Sequence, residues 1–167
     1  MRPLIAVCGS DGDDVNLGEH AIRIAECVGR GIAERGGILV CGGRGGVMEA
    51  ACKGAKEKGG ITVGILPFSK REANPYIDIP IESGLGHFRN YLVVSSADAV
   101  IAICGRWGTL NEIAISIILG KPTILIRGTG GIVDDIIDGK IMRDVEGRYI
   151  VAESAEEAVE NAFRQIK

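Results

Sequence analysis

The chain has few aromatic residues, no long apolar segment and no excess of basic residues. Aromatic residues make up 4% of the 167 positions, and Trp107 is the only tryptophan. No apolar run approaches the ~18 residues of a membrane-spanning helix. Residues 1–3 lead straight into a predicted strand rather than a secretion signal, so we expect a cytoplasmic protein without membrane contact. The formal net charge of -3 offers no basic stripe and argues against a dedicated nucleic-acid-binding protein.

The cysteines and histidines follow no disulfide or metal-binding pattern. The cysteines are odd in number, far apart in the sequence and without a C-x-x-C pair; they are Cys8, Cys27, Cys41, Cys52 and Cys104. We interpret them as small buried residues in a reducing compartment. Neither His20 nor His87 has a second ligand at a suitable spacing, so we predict no metal site.

The common nucleotide-binding motifs are also missing. The P-loop pattern G-x-x-x-x-G-K-[ST] does not occur. A dinucleotide fingerprint begins at Gly43-Arg44-Gly45, but Met48 stands where its third glycine belongs. The third predicted strand ends in Leu66-Pro67, without an acid that would bind a ribose. We therefore do not expect NAD or P-loop chemistry.

Short apolar runs alternate with segments of helical spacing, and many of the 25 glycines lie at the junctions. Strands are predicted at 4–8, 38–41, 61–66, 77–81, 99–104, 122–126 and 149–151. Helices are predicted at 17–35, 47–58, 86–96, 132–137 and 154–166, with another between the glycines at 108 and 120. Fully apolar strands bounded by glycine are typical of a parallel sheet covered on both faces. We predict one α/β domain over residues 1–167, a doubly wound and mostly parallel sheet with helices on both faces.

Two strand–helix junctions share one pattern. Cys41-Gly42-x-x-Gly45-x-Val47-x-Glu49 matches Cys104-Gly105-x-x-Gly108-x-Leu110-x-Glu112, position for position. A strand that enters a helix through glycines directs backbone N–H groups and the positive helix end at one point, which favours an anion. In a doubly wound sheet, ligands bind where the strand order reverses. We expect the two loops to face each other there, one holding a phosphate and the other covering the ligand.

The candidate ligand-binding residues come from these two loops and from the turn after the first strand. They are Gly9, Ser10, Gly42, Gly43, Gly45, Gly46, Gly105, Arg106, Trp107, Gly108 and Thr109. Thr109 and Glu112 also have capping-box spacing, so Glu112 is either a helix cap or a functional carboxylate. Trp107 either covers a ligand or packs on a partner subunit. The apolar helix at 113–119 predicts a homodimer or higher homo-oligomer.

With these loops, the sequence resembles the Lonely Guy / lysine-decarboxylase-like (SLOG) superfamily, and within it the branch of the molybdenum-cofactor carrier proteins. The resemblance spans roughly residues 8–126. The matching segments are 42–51, 62–67, Arg89-Asn90, Ser96-Ala97-Asp98 and Gly105-x-x-Gly108-Thr109-Leu110-x-Glu112. The resemblance implies a Rossmann-like fold that is usually dimeric, with a phosphorylated small molecule as its ligand.

Two functions follow from this resemblance. The family's phosphoribohydrolases split nucleoside 5′-monophosphates into base and ribose 5-phosphate; by resemblance Arg89 and Glu112 are catalytic, and Gly105, Gly108 and Thr109 bind the phosphate. Breaking the N-glycosidic bond builds positive charge on the ribose, which a carboxylate stabilises. The alternative is a non-catalytic carrier of the molybdenum cofactor or a related phosphorylated pterin, with no other cofactor required. A DNA-processing module is a third possibility, against which the acidic net charge argues.

The chain departs from the hydrolase pattern at its loops. In P-G-G-x-G-T, Cys104 replaces the proline and Arg106 a glycine, and Arg44 replaces a glycine of the first loop. The hydrolases follow their arginine with lysine, whereas Asn90 is closer to the carrier branch. The two loop arginines either narrow the pocket or add phosphate contacts.

Overall fold

The computed structural model describes residues 1–145 and 147–166, and in these residues seven strands form one wholly parallel sheet. The strands are β1 (Leu4–Gly9), β2 (Ile38–Cys41), β3 (Ile61–Leu66), β4 (Ile79–Glu82), β5 (Ala99–Ile103), β6 (Thr123–Ile126) and β7 (Ile150–Ala152). Their order across the sheet is β4-β3-β2-β1-β5-β6-β7. The predicted α/β doubly wound sheet is therefore confirmed.

Six α-helices in the described residues cover both faces of the sheet. They are α1 (Glu19–Glu34), α2 (Val47–Glu57), α3 (Arg89–Ser96), α4 (Trp107–Ile118), α5 (Gly131–Ile137) and α6 (Ala155–Gln165). Helices α1, α2 and α6 pack on one face with Ile5, Leu39 and Ile101 of the strands. Helices α3, α4 and α5 cover the other face in two smaller clusters. Because successive strand residues point to opposite faces, the apolar runs supply both cores at once.

Most predicted elements differ from the structure by a few residues at their ends, and three of these differences have a clear structural form. The edge strand β4 lies two residues later than its apolar pattern indicates and pairs with β3 alone; Pro80 is tolerated there because an edge strand leaves one row of N–H groups unpaired. The predicted helix at 86–96 begins as a 3₁₀ turn, Gly86–Phe88, before α3. Helix α4 begins at Trp107, before the Thr109 position that the capping pattern indicates.

The strand order reverses between β1 and β5. Strands β2, β3 and β4 extend to one side of β1, and β5, β6 and β7 extend to the other. Gly9 ends β1 beside Ile103 of β5, and a Cβ on Gly9 would lie 2.5 Å from the Ile103 carbonyl oxygen and 2.6 Å from Val47 Cγ1. Only glycine fits this position, so β1, β5 and the start of α2 come together closely where the crevice opens.

Candidate functional site

A cleft of about 220 Å³ lies at this reversal point. Four segments form its wall: the β1 loop (residues 10–18), the first loop (42–46) with the start of α2, the start of α3, and the second loop (105–108) with the first turns of α4. The lining residues are Gly9, Ser10, Asp11, Asp13, Arg44, Met48, His87, Arg89, Asn90, Arg106, Gly108, Thr109 and Glu112. Both repeated loops thus flank the β1 loop, as a reversal point requires.

The N-terminus of α4 enters the cleft without a side-chain cap. Arg106 is the N-cap residue, and its side chain makes no capping hydrogen bond to the first turn. A Cβ on Gly108 would meet nothing within 4 Å, so the backbone there is open, and Thr109 beside it is buried. The uncapped turn therefore carries free donors and the positive end of the helix dipole.

The capping interpretation of Glu112 is wrong. Helix α4 begins two residues before Thr109, so Thr109 is already helical and Glu112 lies in the second turn. The same spacing caps α6, as expected: the Ser154 hydroxyl accepts a hydrogen bond from the Glu157 N–H at 3.1 Å. The two sites differ because the glycine-rich second loop lets α4 start earlier than its sequence pattern suggests.

Several predicted ligand-binding glycines instead make the loops pack closely. A Cβ on Gly46 (φ 63°) would lie 2.3 Å from the Ser10 carbonyl oxygen, and one on Gly105 (φ 95°) would lie 2.4 Å from Thr109 Cβ. Gly43 and Gly45 likewise approach β3 and the β1 loop. These four glycines, and Gly42, are not part of the cleft wall. Glycine is required at these positions because neighbouring segments approach the loop backbone too closely for a side chain.

Ser10 joins the β1 loop to both repeated loops. Its hydroxyl oxygen accepts a hydrogen bond from the Gly105 N–H at 2.8 Å, and its carbonyl oxygen accepts one from the Val47 N–H at 2.9 Å. The side chain is buried. One residue therefore holds the starts of α2 and α4 in register around the cleft.

The two loop arginines pair with aspartates of the β1 loop. Arg44 Nε lies 3.3 Å from Asp11 Oδ2. Arg106 Nη2 lies 2.5 Å from Asp13 Oδ1, and its Nε lies 3.7 Å from Asp14 Oδ2. Both arginine side chains remain nearly half exposed at the cleft mouth. Both arginines thus place their charge in the wall of the cleft, held by neighbouring carboxylates, and whether they narrow the pocket or bind phosphate stays a prediction.

The acidic β1 loop is the part of the site that sequence reasoning missed. Burial alone would raise the pKa of Asp14, but hydrogen bonds from Ser10 and from the Asn16 backbone, together with the Arg106 charge, lower it overall. The Asp11–Asp14 segment therefore supplies the carboxylates that orient the loop arginines. The sequence feature that could have indicated it is the group of aspartates that follows Gly9 at the end of β1.

Arg89 is buried, although a lone helical arginine is usually a surface residue. It is 8% exposed, and its Nη1 donates to Asn90 Oδ1. A Cβ on Gly42 would lie 2.5 Å from Arg89 Nη2, so the glycine makes room for the guanidinium. Within the described residues, Arg89 Nε has no hydrogen-bond partner. A buried charged donor without a partner is costly, and Arg89 lines the cleft, so its positive charge favours an anion there.

Glu112 lies under the same cleft, 6% exposed. Burial raises its pKa to about 7, while the Arg89 charge and a hydrogen bond from the Cys8 thiol act in the opposite direction. Burial and the Glu112 charge in turn raise the pKa of Cys8. Desolvation disfavours the carboxylate. Glu112 is therefore partly protonated at neutral pH.

Trp107 points away from the cleft into an apolar groove of about 450 Å³. Its side chain is 80% exposed. The groove is lined by His87, Phe88, Asn90, Tyr91, Trp107, Gly108, Asn111 and Ile115. His87, Asn90 and Gly108 line the cleft as well, so the groove and the cleft adjoin.

The helix expected to drive self-association is covered on one side only. Ile113 and Ser116 are buried within the protomer, whereas Ile118 is 80% exposed. The homodimer stays a prediction, to be tested by light scattering.

Within the described ranges, no helix combines the length and apolar character needed to span a membrane. The same residues contain no group of three or more His, Cys, Asp or Glu side chains arranged to hold a metal ion.

The fold has close counterparts among known proteins. The model of the SLOG cluster4 family matches residues 2–159. The molybdenum cofactor binding protein from the phototrophic bacterium Rippkaea orientalis is 34% identical, with a TM-score of 0.88 over 100% of this chain and 99% of that one. The molybdenum cofactor carrier protein from Chlamydomonas reinhardtii is 32% identical, with a TM-score of 0.82 over 99% and 98% of the two chains. An uncharacterized protein from Archaeoglobus fulgidus is 48% identical over 116 residues, 66% of this chain and 77% of that protein.

Proposed function

We propose that this chain, which belongs to the SLOG cluster4 family, binds and carries a phosphorylated small molecule of the pterin type, such as the molybdenum cofactor. The observation that carries the proposal is the convergence of three arginines and an uncapped helix N-terminus in one cleft at the strand-order reversal. Membership of the predicted SLOG superfamily is confirmed. The identity of the ligand is the part that we propose.

The phosphate group would lie against the first turn of α4. Free N–H groups at a helix N-terminus bind phosphate through hydrogen bonds and the helix dipole. Gly108 leaves that backbone open, and the Thr109 hydroxyl borders the same space. Buried Arg89 adds its positive charge to the cleft wall, and Arg106 lies at the mouth. Arginine donates to phosphate oxygens in a fixed planar geometry, which makes such contacts strong and directional.

The comparisons support a carrier rather than a hydrolase. Two similar structures that cover nearly all of this chain are a molybdenum cofactor binding protein and a molybdenum cofactor carrier protein. Asn90 supports the same interpretation, because its side-chain oxygen accepts from Arg89 where the hydrolases carry a lysine. A second cation there would repel the guanidinium, whereas an amide orients it.

Hydrolysis of nucleoside 5′-monophosphates is the second candidate, favoured by Arg89 and Glu112 lining one cleft. An oxocarbenium-like transition state needs an ionised carboxylate beside it. The raised pKa of about 7 leaves much of Glu112 neutral at physiological pH, which weakens this contribution. Incubation with AMP, followed by chromatography for free adenine, tests this candidate. Adenine release that Glu112→Gln abolishes would favour the hydrolase over the carrier.

The carrier proposal is tested by retention of its cargo. Purified protein is mixed with isolated molybdenum cofactor and passed through gel filtration, and the bound pterin is measured by fluorescence after oxidation. We expect a stoichiometric complex that Thr109→Val and Arg106→Ala weaken, since each removes a donor from the cleft. Arg23→Ala, at an exposed arginine of α1, is the control and should bind normally. Wild-type protein that retains no pterin would contradict the proposal.

A further inference from the structure

We propose that the apolar groove beside the cleft receives the planar heteroaromatic ring of the ligand, with Trp107 as the surface on which the ring stacks. The inference rests on the proposed function, because it assumes that the phosphate lies at the N-terminus of α4. It assigns Trp107 to covering the ligand, one of the two roles that the sequence left open.

The size of the cleft requires a second compartment. Pockets for small molecules usually enclose about 300–1,000 Å³, and the cleft alone encloses about 220 Å³. That volume suits a phosphate and a short linker but not a fused ring system as well. The adjoining groove adds about 450 Å³ and shares His87, Asn90 and Gly108 with the cleft. A ligand anchored by its phosphate would therefore extend across these three residues into the groove.

The groove offers the chemistry that a flat ring needs. Trp107 is the first residue of α4 and directly precedes Gly108 at the anion site. Phe88 is 85% exposed, Tyr91 is 52% exposed, and both line the groove with Trp107. Three exposed aromatic side chains around one groove are unusual in a chain with only 4% aromatic residues. Aromatic faces stack favourably on heteroaromatic rings, whatever the identity of the ring.

The Asn111 amide at the edge of the groove can form hydrogen bonds with polar atoms of the ring. Asn90 Nδ2 donates to Asn111 Oδ1 at 3.0 Å, and Asn90 Oδ1 accepts from Arg89. Asn90 is thus held between the buried arginine and Asn111. Asn111 lines the groove and its oxygen is already engaged by Asn90, so its amino group is the donor that it can offer a ligand. A ring carrying oxo groups or ring nitrogens matches this donor, whereas an aliphatic chain does not.

The single tryptophan makes the proposal directly measurable. GMP is the probe, because guanine shares the amino-oxo-pyrimidine edge of a pterin, and inorganic phosphate is the matched probe without a ring. Binding is followed by calorimetry and by Trp107 emission. We expect GMP to quench the emission to saturation, whereas phosphate binds without changing it. Trp107→Ala should weaken GMP about 10-fold through lost stacking and leave phosphate affinity unchanged.

Control variants separate stacking from effects on the fold. Trp107 is exposed, so its replacement removes no core packing. Trp107→Phe keeps an aromatic face and should retain most of the GMP affinity. Ile118→Ala changes an equally exposed apolar residue at the other end of α4, outside the groove, and should bind GMP normally.

Three outcomes would overturn the inference. If GMP binds with unchanged emission and equal affinity for Trp107→Ala, the ring lies elsewhere, while the proposed function stands. If GMP, phosphate and the molybdenum cofactor all fail to bind, the proposed function fails and the inference fails with it. If the emission shifts with protein concentration alone, and light scattering shows a dimer that Trp107→Ala dissociates, a second copy fills the groove.

Discussion

The first and second loops have the same spacing in the sequence but different surroundings in the structure. In the first loop, Gly42 and Gly46 have no room for a side chain, because Arg89 and the β1 loop press against them. In the second loop, Gly105 is packed in the same way, but Gly108 faces open space and borders the cleft. One loop is therefore a packed support, and the other presents its backbone to a ligand.

The glutamates that follow the two loops differ in the same way. Glu49 is half-buried on α2, whereas Glu112 is buried beneath the cleft with a pKa of about 7. The cause is the strand from which each loop departs. The second loop leaves β5, next to the reversal point, while β2 is separated from that point by β1. A repeated motif thus acquires a role from its place in the sheet, not from its spacing.

The largest expected effect is on stability, when one methyl group is added to a glycine of each loop. Gly46→Ala forces a side chain to within 2.3 Å of a backbone oxygen at φ 63°, so we expect it to lower the free energy of unfolding by about 3–5 kcal/mol. Gly108→Ala meets no atom within 4 Å and should leave stability nearly unchanged while reducing phosphate binding. Denaturant unfolding and phosphate titration of both variants measure this. Equal stability of the two variants would remove the distinction between the loops.

The next effect concerns Glu112 and has a defined pH dependence. Its pKa of about 7 in the folded state lies above the ~4.3 of an unfolded chain, so the folded state holds the extra proton between these values. Stability contributed by this residue is therefore present at low pH and lost as the pH rises through about 7. Glu112→Gln should match the wild type near pH 4.5 and exceed it by about 3–4 kcal/mol at pH 8.

Urea unfolding at several pH values measures this difference. Glu49→Gln, at the matching position of the first loop, controls for the substitution itself. If the free energies of unfolding of the wild type and Glu112→Gln differ by the same amount at every pH, the burial of the Glu112 charge is contradicted.

The smallest expected effect on stability concerns the loop arginines. Arg44 and Arg106 are nearly half exposed, and such ion pairs contribute only about 0–1 kcal/mol. We expect Arg44→Ala and Arg106→Ala to unfold almost as the wild type does. Phosphate affinity should fall more for Arg106→Ala, because Arg106 adjoins the open N-terminus of α4. Calorimetry at low and high salt compares them, and a greater loss for Arg44→Ala would make the first loop the main anion site.

Part of the cleft wall could be predicted from residues alone, and the errors have a physical explanation. The pairing of the loops around a crevice followed from two glycine-containing strand–helix junctions. The capping box at Thr109 was wrong because helix starts depend on loop geometry that spacing does not record. The burial of Arg89 depends on Gly42, which lies 47 positions earlier in the chain. No local pattern joins residues so far apart.

The layered fold follows from the pattern of apolar residues along the chain. Fully apolar strands must be covered on both faces of the sheet, and the helices that alternate with them provide this cover. The local periodicity of the sequence therefore predicts the architecture. The folded chain is needed to explain which repeated loop is open, which arginine is buried and why Glu112 holds a proton. These properties depend on desolvation and on contacts between distant segments, and both arise only when β1 lies between the two loops.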